Sequence, residues 1–178
     1  AVTHHRARLQ QRLVGRGGML AVGLASGATH ELLADTRGVE LAAINGPQSV
    51  TLSGETEALA ELRGRLDAAQ ILARPLHVAV PYHSAAISEL EAEFAAAISD
   101  VEARPPRLRV FSTVTGAAVD AAIHDAAYFA RNARERVEFA DAVEAALGEG
   151  YETFVEIGPH RVLSSTVIET ARASDREV

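Results

Sequence analysis

The hydrophobic and polar positions of the chain follow two periods. Apolar residues spaced three or four positions apart predict helices, and Leu59, Leu62 and Leu66 form one such stripe. Short apolar runs bounded by Gly, Pro or Asn predict strands. The predicted helices cover residues 1–15, 26–35, 56–69, 84–98, 125–132, 137–147 and 162–172. The predicted strands cover residues 19–24, 39–44, 49–54, 73–80, 108–114 and 153–157.

The elements between about residues 17 and 79 follow the order strand–helix–strand–strand–helix–strand. This is the order of a ferredoxin-like unit, and Asn45-Gly46-Pro47 predicts the turn of its hairpin. Beyond Pro81 strands alternate with helices, which predicts an α/β layer. We therefore expect an α/β fold in which a small unit, residues 17–79, is inserted between residues 1–16 and 80–178 of a larger body.

Composition narrows the classes of protein to which the chain can belong. Hydrophobic residues make up 48% and charged residues 23%, which is typical of a globular domain. The net charge of -7 argues against a nucleic-acid partner, and no apolar run is long enough to span a bilayer. Without Cys there is no disulfide, thiolate metal site or cysteine nucleophile. We expect a soluble, cytoplasmic protein, and the missing initiator Met predicts a piece of a longer polypeptide.

Histidines are the first candidates for chemistry. The chain has seven His, and no pair has the spacing of a metal site on one helix face, so we expect no metal. His83 differs from the others because it follows a strand end and precedes a helix that Ser84 is expected to cap. Reactive groups of open α/β sheets lie at strand ends. From spacing alone, a catalytic and a structural role for His83 remain open.

Five segments, in order, resemble malonyl-CoA:ACP transacylases and the acyltransferase domains of type I polyketide synthases. The segment Val80-Pro81-Tyr82-His83-Ser84 resembles the stretch that carries the catalytic His of that family. The other four resemble its entry to the ferredoxin-like subdomain, its hairpin, its Tyr-Trp-x-x-Asn-Leu-Arg-x-Pro-Val-x-Phe segment and its closing turn. They are residues 17–22, 42–54, 128–139 and 156–163. The resemblance covers nearly the whole chain and implies a partial α/β-hydrolase-like body with an inserted ferredoxin-like subdomain.

The resemblance implies roles for four residues. His83 would be the general base, and its Nδ1–H would donate to a carbonyl of Asn132. Arg6 would pair with the free carboxylate of a malonyl group, with Arg8 as an alternative alignment. Tyr82 would lie beside the α-carbon of the acyl group, where an aromatic ring disfavours an extra methyl, so malonyl-CoA is the expected substrate.

The sequence also departs from the family pattern. The family has Leu, Pro and Trp at the positions of Ala133, Arg136 and Phe129, which leaves the packing around Asn132 open. The alternative roles of these residues are structural: Arg6 as a solvated helix Arg, Asn132 as a helix cap, Tyr82 as a core residue and His160 as part of a turn.

The nucleophile of the family is absent from this sequence. No Gly-x-Ser-x-Gly occurs, and in the family that motif and the oxyanion-hole donors lie upstream of the position where this chain begins. We therefore expect the chain alone to be inactive as part of a polyketide synthase acyltransferase that needs no cofactor. Its expected partners are malonyl-CoA, an acyl carrier protein with its phosphopantetheine, and the ketosynthase and linker regions of the same polypeptide.

Three other interpretations remain. The chain could be a degenerate domain that only scaffolds its neighbours, part of a stand-alone malonyl-CoA:ACP transacylase of fatty acid synthesis, or a free-standing ferredoxin-like binding module. Retention of Arg6, His83 and Asn132 argues against the scaffold, since a scaffold needs none of them.

Overall fold

The computed structural model describes residues 1–178, which form seven helices and seven strands. The helices are α1 (Val2–Gln10), α2 (Ser26–Ala34), α3 (Thr56–Ala68), α4 (Ala85–Ala97), α5 (Ala126–Arg134), α6 (Phe139–Gly148) and α7 (Ser164–Ala173). A single 3-10 turn, Gln11–Leu13, extends α1. The strands are β1 (Gly18–Val22), β2 (Val39–Gly46), β3 (Ser49–Gly54), β4 (Ala73–Pro75), β5 (Val110–Ser112), β6 (Ala117–Val119) and β7 (Val137–Glu138). No helix is long and apolar enough to cross a membrane.

A five-stranded sheet with the order β4-β1-β3-β2-β7 organises the first part of the chain. Strand β1 pairs antiparallel with both β3 and β4, β2 pairs antiparallel with β3, and β7 adds to β2 in parallel. Between residues 18 and 75 the elements follow the predicted order strand–helix–strand–strand–helix–strand. The apolar side chains of these strands pack against α3 and form one core: Leu20, Val22, Val39, Val50, Leu52, Leu59, Leu62, Leu66 and Ala73.

A second core joins three helices that are far apart in sequence. Helices α1, α4 and α5 contribute buried side chains to it, and the small residues Ala130 and Ala133 let α5 approach α4 closely. Its members are Leu9, Leu13, Val80, Ile87, Leu90, Phe94, Ile98, Ala130 and Ala133. Ile87, Leu90 and Phe94 follow one another at helical spacing and form the buried face of α4.

Three of the predicted strands are wrong in extent or in kind. The strand expected over residues 73–80 ends at Pro75, and only one further backbone bond, from Leu76 N–H to the Met19 carbonyl at 2.9 Å, follows it toward β1. Residues 108–114 yield only β5, which pairs with the unpredicted strand β6 across Gly116. Residues 153–157 form no strand, because no neighbouring strand is available for pairing. The side chains of Val155 and Ile157 in that segment are 78% and 94% exposed.

Candidate active site

The three-helix core brings together the side chains that the sequence singled out. Arg6 lies on α1, His83 lies in the turn that precedes α4, and Asn132 lies in the last turn of α5. Arg6 Nη1 donates a 3.0 Å hydrogen bond to Asn132 Oδ1, and the charge of Arg6 acts on His83. The packing of α1, α4 and α5 thus converts positions 6, 83 and 132 into one partly buried cluster.

His83 is held with a defined tautomer. Its Nδ1 lies 2.8 Å from the carbonyl oxygen of Glu135. Because a carbonyl only accepts hydrogen bonds, Nδ1 carries the proton and Nε2 keeps its lone pair in the neutral ring. The backbone of His83 has a φ of 56°, in the left-handed region that non-glycine residues seldom adopt. Such strain is typical of functional positions that the surrounding structure holds in place.

The carbonyl that orients His83 differs from the one expected. It belongs to Glu135 and not to Asn132, because Asn132 lies within α5 whereas Glu135 is the residue that ends the helix. The extended backbone of Glu135, with φ -74° and ψ 159°, turns its carbonyl away from the helix axis. Asn132 instead orients Arg6 through its side chain.

Electrostatics keep the His83 ring neutral. Burial lowers the pKa of His83 from its usual 6.5, the hydrogen bond to the Glu135 carbonyl raises it, and the positive charges of Arg6 and Arg134 lower it further. The net pKa is lowered, so the ring is a neutral, proton-accepting group near pH 7.

Arg6 is a half-buried cation without a carboxylate partner. Its one side-chain hydrogen bond goes to Asn132, and no ion pair includes it, whereas Arg8 on the same helix pairs with Glu93. Burial lowers the pKa of the Arg6 guanidinium, and the nearby Tyr82 raises it. A guanidinium remains charged at any pH a protein meets, so this site favours an anion.

Tyr82 packs against the three-helix core next to His83 in sequence. Its ring is half-buried against the α1–α4–α5 core, and it lies close enough to Arg6 to affect the pKa of the guanidinium. The ring therefore lies near the Arg6 guanidinium.

Two sets of contacts near the site could not be found from the sequence, those of the Glu135 carbonyl and those of the Glu40 side chain. Ser84 occupies the N-cap position of α4 as predicted, but its hydroxyl donates to the carbonyl of Pro81 at 2.7 Å and does not cap the helix. Glu40 caps the helix instead, and Glu40 also contacts Arg134. A backbone acceptor such as the Glu135 carbonyl leaves no signal in side-chain identity. The Glu40 contacts join residues 45 and 94 positions apart, which periodicity does not reveal.

Two other histidines, His160 and His124, have different surroundings. His160 lies exposed in the turn before α7, and His124 packs its ring against Tyr128. No group of three or more His, Asp or Glu side chains anywhere in the chain could hold a metal ion.

Comparison with known proteins assigns this arrangement to a class. The profile of the acyl transferase domain matches residues 1–178, and the chain belongs to this family. It is 43% identical to the spectinabilin polyketide synthase system protein NorC of Streptomyces orinoci, over 97% of this chain and 8% of that protein. It is 38% identical to the erythronolide synthase EryA2 of Saccharopolyspora erythraea, over 96% of this chain and 5% of that protein.

Solved structures agree with this assignment. The chain superimposes on the acyltransferase domain from module 8 of the salinomycin polyketide synthase with a TM-score of 0.93 and 36% identity, covering 98% of this chain and 42% of that one. It also resembles the malonyl CoA-acyl carrier protein transacylase of Clostridium perfringens, with a TM-score of 0.79 and 26% identity, covering 96% and 56%. The chain therefore spans less than half of the salinomycin domain and a small part of the curated synthases.

Proposed function

We propose that this chain is the C-terminal part of a polyketide synthase acyltransferase domain, which transfers a malonyl-type unit from CoA to an acyl carrier protein. One observation carries the proposal: a neutral, oriented His83 lies near Arg6, a cation that has no carboxylate partner. A base next to an anion-binding group suits a substrate that has both a thioester and a free carboxylate. The relatives named above are polyketide synthases, which supports the same class.

The proposed chemistry is a Ser–His ping-pong reaction whose Ser comes from a segment outside this chain. His83 Nε2 accepts the proton of the Ser hydroxyl while its oxygen attacks the thioester carbon. The carbon–sulfur bond breaks, an acyl ester forms, and the proton passes to the departing CoA thiol. In the second half, the phosphopantetheine thiol of the carrier protein attacks the ester, and the proton returns to Ser through His83. No resident cofactor or metal enters this scheme.

In this scheme Arg6 selects for the carboxylate of the malonyl group. A planar guanidinium can bind a carboxylate through two parallel hydrogen bonds, and Asn132 fixes its orientation. An acetyl thioester leaves the cation unpaired, so it loads poorly.

The proposed body is α/β-hydrolase-like, with residues 1–16 and 80–178 on either side of a ferredoxin-like subdomain, residues 17–79. The strand order β4-β1-β3-β2 supports the subdomain. The exposed apolar residues of 153–157 support pairing with a further strand of the same polypeptide, next to the Ser. Ketosynthase and linker regions are the proposed covalent neighbours, and the cytoplasm is the proposed location.

The test of the base is His83→Ala in the complete domain. We expect acyl-enzyme formation to fall by about two to four orders of magnitude with the fold intact. His30→Ala, an exposed histidine on α2, is the matched control. Near-normal loading by His83→Ala would show that another group is the base.

The test of the anion site is a pair of arginine variants. Arg6→Ala is expected to lose the preference for malonyl-CoA over acetyl-CoA, whereas Arg8→Ala, which only breaks an exposed ion pair with Glu93, is expected to keep it. Loss in the Arg8 variant alone would favour the alternative alignment.

Tyr82 is the proposed determinant of extender-unit size. Pro81 restricts the backbone that presents the ring, and one methyl in a tight pocket changes selectivity by about ten- to two-hundredfold. We expect malonyl-CoA to load in preference to methylmalonyl-CoA, and Tyr82→Ser to shift the ratio toward methylmalonyl. Competitive loading read by intact-protein mass measures both, and equal loading by the unaltered domain would refute this assignment.

A further inference from the structure

The helix that follows His83 is capped from another part of the chain. Ser84 holds the N-cap position of α4 but donates its hydroxyl proton to the Pro81 carbonyl, and its side chain accepts no hydrogen bond from the first amides of the helix. The Ala85 N–H donates at 2.6 Å to Glu40 Oε1, which belongs to β2. A residue of the central sheet therefore fixes the backbone two positions after His83.

The second oxygen of the same carboxylate reaches the segment that orients the His83 ring. Glu40 Oε2 accepts from Arg134 Nη2 at 3.3 Å, and Arg134 Nε donates at 2.8 Å to Ser88 Oγ on α4. Arg134 directly precedes Glu135, whose carbonyl accepts from His83 Nδ1. One side chain thus links the turn that carries His83 with the helix end that carries its acceptor.

We propose that Glu40 is a positioning residue for His83, which it holds by binding both the N-terminus of α4 and Arg134. The left-handed backbone of His83 requires such restraint, because a strained conformation persists only where several contacts hold it. The catalytic consequence rests on the proposed function, whereas the effect on His83 itself does not. Glu40 need not touch a substrate for this role.

The contacts have an electrostatic consequence for His83. Its charged neighbours are Arg6 on α1 and Arg134 on α5, and the positive end of α4 begins at Ser84. Glu40 is the carboxylate that pairs with Arg134, with side chains 40% and 27% exposed. The Glu135 carboxylate instead pairs with Arg131. Removing the Glu40 charge leaves Arg134 uncompensated and disfavours the protonated His83 ring further.

The test compares Glu40→Gln with Glu55→Gln in the complete domain. Glu55 directly follows the neighbouring strand β3 and precedes α3, and its side chain has no hydrogen bond, so the control removes an equal charge without these contacts. We expect Glu40→Gln to lower the single-turnover loading rate at saturating malonyl-CoA by about tenfold to a hundredfold. The apparent affinity for malonyl-CoA is expected to stay unchanged, since Glu40 lies outside the anion site.

A second readout does not depend on acyl transfer. Diethyl pyrocarbonate modifies neutral imidazole, so the pH dependence of His83 modification, followed by peptide mass spectrometry, reports the pKa of His83. Glu40→Gln is expected to move this profile to lower pH and Arg134→Gln to higher pH, with Glu55→Gln on the unaltered profile. If Glu40→Gln does not fold, Glu40→Asp, which keeps the charge but shortens the side chain, provides the test: it is expected to lower the loading rate, and an unchanged rate would overturn the role of Glu40.

The outcomes separate this inference from the proposed function. A Glu40→Gln profile that superimposes on that of the unaltered domain overturns the role of Glu40, whatever the loading rates are. Shifted profiles in a domain that loads no acyl group support the role of Glu40 and count against the proposed function.

Discussion

The sheet unit of residues 18–75 and the C-terminal segment 108–178 differ in how completely their extended segments are paired. In the first, β3 has a neighbour on each side, and the Leu52 side chain is fully buried. In the second, β5 pairs only with the short strand β6, and residues 151–157 have no pairing partner. The chain thus satisfies the backbone of one region internally and leaves an apolar edge in the other. The candidate site belongs to neither region alone: Arg6 and His83 flank the sheet unit in sequence, and Asn132 lies on α5 in the C-terminal segment.

The largest expected effect concerns stability. Leu52→Ala empties a fully buried position and is expected to lower the free energy of unfolding by about 2–5 kcal/mol. Ile157→Ala, at an exposed position, is expected to stay within about 0.5 kcal/mol in this chain. Urea unfolding measures both. Equal losses would mean that segment 153–157 is packed and that the two regions do not differ.

The same contrast explains which elements could be predicted from the sequence. Helix α3 and the β2–β3 hairpin agree with prediction within about two residues, since their partners are local in the chain and their patterns are strong. The apolar run Thr153–Ile157 has the composition of a strand, but a strand also needs a neighbour. Strand pairing depends on partners that are distant in sequence or absent from the chain. The pattern of apolar residues alone therefore predicts more strand than the structure contains.

The same distinction applies to the candidate site, where side chains in motifs could be predicted and contacts to distant residues could not. His83, Tyr82 and Asn132 lie within the ordered motifs, Arg6 was aligned upstream of them, and the structure brings the four together. The acceptor for His83 was misassigned by three residues because backbone carbonyls carry no sequence signature. The Glu40 cap was missed because Ser84 has the residue type of a cap and the structure gives its hydroxyl another partner.

The second prediction concerns self-association of the isolated chain. Ile157, Val155 and Phe154 border an apolar cavity of about 450 Å³, which favours association with another apolar surface. Ile157→Glu is expected to weaken self-association by roughly tenfold to a hundredfold, from the free energy of burying one large side chain. Leu72→Glu, an exposed position in the sheet unit, is the control. A monomeric chain at all concentrations, measured by sedimentation, would contradict the expectation.

The third prediction concerns the acid sensitivity of the candidate site, between the two regions compared. The lowered pKa of His83 means that the folded protein resists protonation of this ring relative to the unfolded chain. Stability from this group is therefore complete above pH 6.5 and is lost as the pH falls through that value toward the lowered pKa. Loading by the complete domain is expected to fall about tenfold per pH unit below an apparent pKa that lies under 6.5. A pH–rate profile with its acid limb above 6.5 would show that the ring is not held neutral.

The smallest expected effect concerns the C-terminal region at a lower pH. Glu156 accepts hydrogen bonds from the Ser164 hydroxyl and from the amides of Val162, Leu163 and Ser164, and these bonds lower its pKa from 4.5 to about 2. Its contribution is present above pH 4.5 and is lost as the pH falls from there toward 2, a window below that of His83. Glu156→Gln removes the charge at the start of α7, so the amides of residues 162–164 are expected to exchange about twofold to fivefold faster at neutral pH. Amides of β3 serve as the internal control, because the sheet core does not contact this cap. Unchanged exchange at residues 162–164, measured by hydrogen–deuterium exchange, would show that the turn is held by contacts other than this carboxylate.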